Sequence, residues 1–515
     1  MIVLKFGGTS VGDPEAIERL AEVVRTRLEH GATVVVSAMS GTTNTLLEIA
    51  EQSSRGQLIV AVRLVEGMRE RHLRAAERLL GPGAAADDLC GELSALCDEL
   101  ASLAEALSVL GHLTPRSEDA ITAFGEQLSA PLVAAALEHR GLPARLLEAR
   151  DIVITDDRFT KAMPQPELIA REARRVILPI IREGGVPVMG GYIGATAQGI
   201  TTTLGRGGSD YTAALIGAAL DAQAIEIWTD VDGMLTGDPR VVSGARLIQH
   251  IRFDEASELA SFGAKVLHPA TIAPAVRRGI PVFIYNSRAP QGCGTRITAD
   301  APRGGVTAVA GRGNITVLKL RSPRMLLAHG ILHRIFELFE KHRVSVDVVA
   351  TSEVSISVTI DDPARLEELV VDLTPFGDVV VERNRAILAV VGSGLGGAGG
   401  AMANALRALG DIRVQMISLS ATEINLTLVV DGENLNPGLR LLHEAFFGAS
   451  VVATNVADTT DPADSTNAEG STRTADTTNT TDTTRTADTT RIAHTINGTD
   501  ATGVADNSGD IGGHA

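Results

Sequence analysis

From residue 1 to about residue 298 the chain alternates short apolar runs with amphipathic stretches of helical length. That alternation restricts the possible folds more than any other feature. Strand-like runs fall at Ile2–Phe6, Thr33–Ser37, Ile152–Thr155, Val186–Met189, Ile225–Trp228 and Pro281–Tyr285. Helical periodicity covers Glu15–Leu28, Leu58–Leu80, Glu118–Leu137 and Pro166–Ile181, and Asp88–Leu110 extends the helical pair that starts near Leu58. Strands spaced by helices in this way imply an α/β fold, a mostly parallel sheet covered by helices on both faces.

Residues 306–452 carry a different pattern. A strand (Ile315–Leu320), a helix (Gly330–Lys341), two strands (Val344–Thr351, Ser355–Ile360) and a helix (Pro363–Leu373) are followed by a second round. That round comprises Ala386–Val391, Ala401–Leu409, Val414–Leu419, Glu423–Val430 and Leu439–Phe447. Two β-α-β-β-α-β halves of about 70 residues each read as paired ferredoxin-like α+β modules. From about Ala457 the composition shifts to Thr, Asp, Asn and Ala, and TRTADTT at 472–478 recurs at 484–490. Such a segment cannot bury enough apolar surface to offset its ordering entropy, so residues 457–515 are expected to be a disordered acidic tail. The expected domains are therefore 1–298, 306–382 and 383–452, then the tail.

Composition narrows the partners. A net charge of −17 argues against nucleic acid. No apolar run of membrane-spanning length and no secretion signal are evident, so no membrane partner and a cytoplasmic location are expected. Cys90, Cys97 and Cys293 are too few and too scattered for a disulfide framework or a zinc site, and no metal-ligand cluster is expected. Only five lysines occur: Lys5, Lys161, Lys265, Lys319 and Lys341. An acidic, lysine-poor chain fits a high-salt cytoplasm, where like charges are screened. A GC-rich genome explains the arginine bias equally well.

Chemistry concentrates in a few segments. KFGGTSVG (5–12) places Lys5 at a strand end, followed by Gly7, Gly8 and Ser10, where an ammonium and small residues let a phosphate approach the backbone. SAMSGTTN (37–44) puts Ser37 and Thr43 at the carboxyl edge of the next strand, where open α/β sheets bind ligands, although the same residues also suit helix capping. TTTLGRGGSD (201–210) sets Arg206, Ser209 and Asp210 among three glycines ahead of an apolar helix, and helix N-termini of this kind favour anions. Glu126 lies on an amphipathic helix and matters only if a substrate ammonium needs a carboxylate. Thr229 and Asp230 end a strand, Arg240 closes a turn-rich loop, and Lys265 sits in FGAKVLHP (262–269).

These motifs, in this order, resemble the aspartokinases of the amino-acid kinase superfamily over essentially residues 1–450. SVDVVATSEVSISVTID (345–361) and MISLSATEINLTLVV (416–430) resemble the two ACT modules of that family. The resemblance implies a three-layer amino-acid kinase sandwich followed by two ACT domains. It implies phosphorylation of the β-carboxylate of L-aspartate by ATP with Mg2+, the first step toward lysine, threonine and methionine. By resemblance, Lys5 faces the transferring phosphoryl group, with Gly7, Gly8 and Ser10 adding contacts. Arg206 grips the α-carboxylate. Glu126 meets the ammonium, with Ser37, Thr43 and Ser209 nearby, and Asp210 orients the lysine. Thr229, Asp230, Arg240 and Lys265 hold ATP.

The same resemblance implies feedback control and a homodimer or larger homo-oligomer. Met325, Gly330, Leu332, Ser345, Val346, Asp347, Ser352 and Glu353 match the positions that cradle lysine in lysine-sensitive relatives. Ala328 stands where those relatives often carry serine, so lysine, threonine or no effector stay open. Leu235 stands where the family often has tyrosine, and Gln127 where many relatives have arginine. Two rivals remain. One is a superfamily member acting on acetylglutamate, glutamate or UMP, which should lack FGAKVLHP and the ACT pair. The other is a non-catalytic amino-acid sensor on the same fold.

Overall fold

The computed structural model describes residues 1–263, 269–302, 304–325, 329–361, 364–397 and 400–448. The expected tail at 457–515 lies outside the described residues, as does Lys265.

The first 298 residues build around an eight-stranded sheet. Its spatial order is Ala144–Leu147, Val186–Gly190, Ala32–Val36, Ile2–Phe6, Ala224–Thr229, Val282–Asn286, Thr295–Thr298 and His250–Arg252. Every neighbouring pair runs parallel except Val282–Asn286 with Thr295–Thr298. The Ile2–Phe6 strand is central and wholly buried. Burial of each of its apolar side chains contributes roughly 1.5–3 kcal/mol.

Side-chain alternation then assigns the faces. Ile2, Leu4 and Phe6 join a core with Val34, Val36 and helices that include Leu58–Leu80, Ala84–Leu110 and Phe124–His139. Val3 and Val35 join the opposite core with residues of the Pro166–Arg182 and Gly208–Ala219 helices. Lys5 shares the parity of Val3 and so points to the side of the Gly208–Ala219 helix. The result is a three-layer sandwich.

Several expected elements shift. The 118–137 stretch is two helices, Pro115–Thr122 and Phe124–His139, meeting at Ala123. By composition Pro115–His139 is apolar enough to cross a membrane, but 83% of its most apolar window is buried against the rest of the protein. The expected strand at 152–155 shrinks to Ile154–Thr155 and leaves the main sheet. It pairs with Ile193–Thr196 in a separate three-stranded sheet completed by Thr201–Thr203. Ile152 and Val153 are consumed by the turn after Ala149–Asp151, whose Ala149 carbonyl accepts both their N–H groups.

Residues 305–448 form one six-stranded antiparallel sheet in the order Val349–Thr351, Ser355–Ile360, Gly305–Arg321, Asp378–Ser393, Asn425–Asp431, Met416–Leu419. Its two long central strands pair along their whole length, with one register shift between Val306 and Ala308 and two more between Arg312 and Val317. Beyond those shifts Ile315–Arg321 sits in the half with Ser355–Ile360, whereas Gly305–Arg312 sits opposite Ile387–Ser393 beside Asn425–Asp431. The two α+β halves are thus interleaved through a shared strand. Of the expected strand at 344–351 only Val349–Thr351 forms. Ala308, Ala310, Ile387 and Ala389 continue the core beneath the eight-stranded sheet, so the two sheets share packing.

Candidate active site

A cleft of about 630 Å³ opens at the carboxyl ends of the central strands. The sheet order reverses on either side of Ile2–Phe6, which makes this the crevice where open α/β sheets bind ligands. Lys5, Gly7, Gly8, Ser37, Thr43, Glu126, Arg206, Ser209, Thr229, Asp230 and Asp210 all line it. Thr9, Ala38, Met39, Ser40, Gly41, Tyr192, Gly205, Gly207 and Gly208 complete the wall.

Two helices aim their N-termini at the cleft. Thr42–Ser54 starts after Gly41, and Gly208–Ala219 starts after Gly207, whose φ of 72° is a left-handed turn that glycine adopts without strain. Each N-terminus offers unpaired N–H groups and partial positive charge. Lys5 Nζ lies 2.6 Å from Asp210 Oδ1, both side chains being only 11% exposed. An ion pair this sheltered fixes the ammonium at the cleft floor; losing one partner would leave the other charge buried. Arg206 is exposed at the mouth.

Glu126 is nearly inaccessible. Its Oε1 accepts the Ala38 N–H at 3.1 Å, while Oε2 is buried without a hydrogen-bond partner. Burial pushes its carboxyl up to about 8, against smaller opposing effects from hydrogen bonding and the Lys5 charge. A cleft-lining carboxyl with one orphaned oxygen is suited to receive a cation or a donor. The approach is tight: a Cβ at Gly190 would sit 3.0 Å from Glu126 Cβ.

Not every expected contact points inward. Ser10 is buried outside the cleft, its hydroxyl on the Trp228 carbonyl and on Ser287 Oγ at 2.8 Å. It fastens the glycine turn to two strand ends. Gly7 donates its own N–H to the Trp228 carbonyl at 2.9 Å, so it contributes surface and no N–H. Arg240 is turned to solvent and paired with Asp238 at 2.7 Å, away from the cleft wall. Thr229 and Asp230 do line the wall.

Spacing alone did not reveal Asp119. It is buried and accepts the Thr160 N–H at 2.9 Å, the Thr203 N–H at 3.0 Å and the Thr203 hydroxyl at 2.5 Å. These bonds pin the strand that delivers Gly205 and Arg206. No motif marks Tyr192 either; it sits at φ 64° and donates its N–H to Thr212 Oγ1.

In the α+β half, Asp347 is held by Arg312 at 2.9 Å, and Arg312 also pairs with Asp361 at 2.5 Å. Burial and the adjacent Asp347 push the Asp361 carboxyl up to about 6. Ser345 and Glu353 are exposed, Val346 is half-buried and Met325 is buried. Ser352 bonds Ser355 side chain to side chain at 2.7 Å. Gly330 caps the Ile331–Lys341 helix with φ 76°, and Leu332, the second helical residue, is exposed. Ala328 lies outside the described residues. Leu235 bridges Leu247 across the loop that carries Arg240.

A layered α/β sandwich with cations and helix N-termini around one cleft is the architecture of a small-acid kinase. The amino acid kinase family model matches residues 1–286, and an ACT domain model matches 388–446. The chain is 38% identical over 458 residues to lysine-sensitive aspartokinase 3 of Escherichia coli, spanning 87% of this chain and 99% of that one. It is 36% identical over 463 residues to chloroplastic aspartokinase 3 of Arabidopsis thaliana, spanning 86% and 81% respectively. Among solved structures, E. coli aspartokinase III with aspartate and ADP superposes with a TM-score of 0.76 at 37% identity, covering 87% of this chain and all of that one. The same enzyme with lysine and aspartate gives 0.72, covering 87% and 99%. The chain belongs to the aspartokinases.

Proposed function

We propose that this chain transfers the γ-phosphoryl group of MgATP to the β-carboxylate of L-aspartate, a phosphotransfer to a carboxyl acceptor. One observation carries the reading: the Lys5–Asp210 pair, Arg206 and the half-satisfied Glu126 share a single cleft under two helix N-termini. A carboxylate nucleophile is already ionised at neutral pH, so the site needs no general base. Its task is to hold two anions in line. In this scheme Lys5 neutralises the transferring group and Arg206 grips the α-carboxylate in a bidentate fork. Glu126 takes the ammonium through its orphaned oxygen, and Ser37, Thr43 and Ser209 border the amino acid. Asp210 fixes the lysine. Gly8, Thr229 and Asp230 border the nucleotide.

Among the described residues no cluster of three or more His, Cys, Asp or Glu forms a metal cage. A magnesium ion is expected to arrive on the nucleotide's phosphates, with the Asp230 and Asp210 carboxylates of the cleft wall as hard oxygen ligands.

Lysine is the proposed effector, supported by the lysine-sensitive E. coli relative and by the matching residues around Asp347. The proposed catalytic portion is 1–298 and the regulatory portion 306–452. Exposed Val349, Ile417 and Leu419 on the two edge strands support assembly of copies through the regulatory sheet. A cytoplasmic location is proposed with the biosynthetic role.

The test is ADP release by the full-length chain with ATP and magnesium, with hydroxylamine trapping of the acyl phosphate. Aspartate should support both signals, and glutamate, acetylglutamate and UMP should not. Absence of aspartate-dependent ADP release would leave the sensor reading in possession.

A further inference from the structure

The phosphate-facing side of the cleft consists of two strand-end loops. One is the glycine turn after Phe6; the other is the 37–41 loop after Val36. They touch: a Cβ on Gly8 would lie 3.0 Å from the Ala38 carbonyl oxygen, and one on Gly12 would lie 3.3 Å from Ser40 Cβ. At their base the Ser37 N–H donates to the Phe6 carbonyl at 3.1 Å; farther out, the hydrogen bonds that join them come from a third element. Arg71, on the Leu58–Leu80 helix, donates from Nη1 to the Ser40 carbonyl at 2.7 Å and from Nη2 to the Gly12 carbonyl at 2.8 Å. Its guanidinium spans the seam between the loops, and its side chain has no acidic partner among the ion pairs of the described residues.

We propose that Arg71 is a positioning residue for phosphoryl transfer, clamping the 8–12 and 37–41 loops at the separation that nucleotide phosphates require. The proposal rests on the reading of the cleft as a nucleotide site. Three physical points support it. Gly8, Thr9, Ser40 and Gly41 all line the cleft, so the separation of the loops is the width of that wall. A planar fork can hold two carbonyls at once, which a single ammonium cannot do with the same geometry. Charge-assisted bonds to two carbonyls also outlast the thermal opening that exposed loops otherwise undergo. Arg71 touches no reacting atom and acts through backbone it does not belong to.

The experiment compares wild type with Arg71→Ala and Arg71→Lys. It measures kcat, KM for ATP, KM for aspartate, ADP affinity by calorimetry in magnesium buffer, and the thermal midpoint. Loss of the two charge-assisted bonds that hold the loops together should lower kcat/KM for ATP and ADP affinity by about tenfold in Arg71→Ala. The midpoint should move by no more than about 2 °C, and Arg71→Lys should recover only part of the loss. Kinetics and ADP affinity within twofold of wild type in both variants would overturn the clamp. So would an affinity loss that only tracks a lowered midpoint, or full rescue by lysine, since either makes Arg71 a generic support. If Arg71→Ala fails to fold, Arg71→Lys and Arg71→Gln carry the same comparison. ADP calorimetry separates the two readings: wild type that binds ADP but ignores aspartate refutes the substrate and leaves the clamp testable.

Discussion

Glu126→Gln probes the cleft through pH. The Glu126 carboxyl is raised to about 8 by burial, so it is ionised to about 1% at pH 6 and about half at pH 8. If the substrate ammonium binds only the carboxylate, apparent affinity scales with that fraction. The KM for aspartate should then fall about fiftyfold between pH 6 and pH 8. Glutamine keeps the shape and can still accept the Ala38 N–H, but cannot ionise. In Glu126→Gln the KM should stay high and flat across the same range, while the KM for ATP hardly moves. Initial rates at saturating ATP and stepped aspartate supply the assay. A flat wild-type profile, or a glutamine variant that keeps the slope, would refute the ammonium seat.

Stability provides an independent check. The folded-state value lies above the ordinary 4.5, so the folded protein holds this proton more tightly than the unfolded chain. The contribution is fully present below about 4.5 and is lost as pH rises through about 8. Glu126→Gln should therefore remove a fall in thermal midpoint that wild type shows over that window.

Other substitutions separate the remaining roles. Lys5→Met should cut kcat by roughly 10²–10³ and lower the thermal midpoint by stranding Asp210. Lys5→Met/Asp210→Asn should recover the midpoint without the activity, and near-normal turnover in Lys5→Met would remove the lysine from the mechanism. Arg206→Ala should raise the KM for aspartate by roughly ten- to a hundredfold, whereas an effect confined to ATP would reverse the assignment. Lysine and threonine, titrated separately against initial rate at high and low salt, should show inhibition by lysine that Asp347→Ala abolishes; inhibition by threonine alone would reassign the effector.

The parts legible in the sequence were those set by local periodicity. Ile2–Phe6, Leu58–Leu80, Ser355–Ile360 and Ala401–Leu409 fall where apolar spacing predicts them. Strands such as Ala144–Leu147, His250–Arg252 and Thr295–Thr298 were not legible. They are three or four residues long, at or near the sheet margin, and carry too few alternations to define a period. The cleft was legible where glycine and charge recur in short motifs. It was not where function depends on a partner far along the chain. Asp119 meets Thr203 across 84 residues, and Arg71 meets Gly12 across 59. Neither contact leaves a local pattern. Nor could spacing tell that Ser10 turns away from the cleft, because a serine after two glycines serves a phosphate or a neighbouring strand equally well.

The net charge of −17 poses a problem that the cleft resolves locally. Both proposed ligands are anions, and a uniformly acidic surface would repel them. On the cleft wall, Lys5 and Arg206 face the carboxyls of Glu126, Asp210 and Asp230. With all three carboxyls ionised the wall would be net negative. Burial keeps Glu126 protonated at neutral pH, so the empty wall is balanced in formal charge. The N-termini of Thr42–Ser54 and Gly208–Ala219 then tip it positive by about half a charge each. In the proposed scheme the substrate ammonium takes the place of the Glu126 proton at neutral pH. In that scheme the desolvation that raises this carboxyl does two jobs: it spares incoming phosphates a third negative charge, and it leaves the orphaned oxygen for an ammonium. An acceptor acid without an amino group would leave that oxygen buried and unpaired, at a cost of about 1–3 kcal/mol. In the proposed scheme, discrimination for an α-amino acid would follow from the same burial that makes the site hospitable to anions.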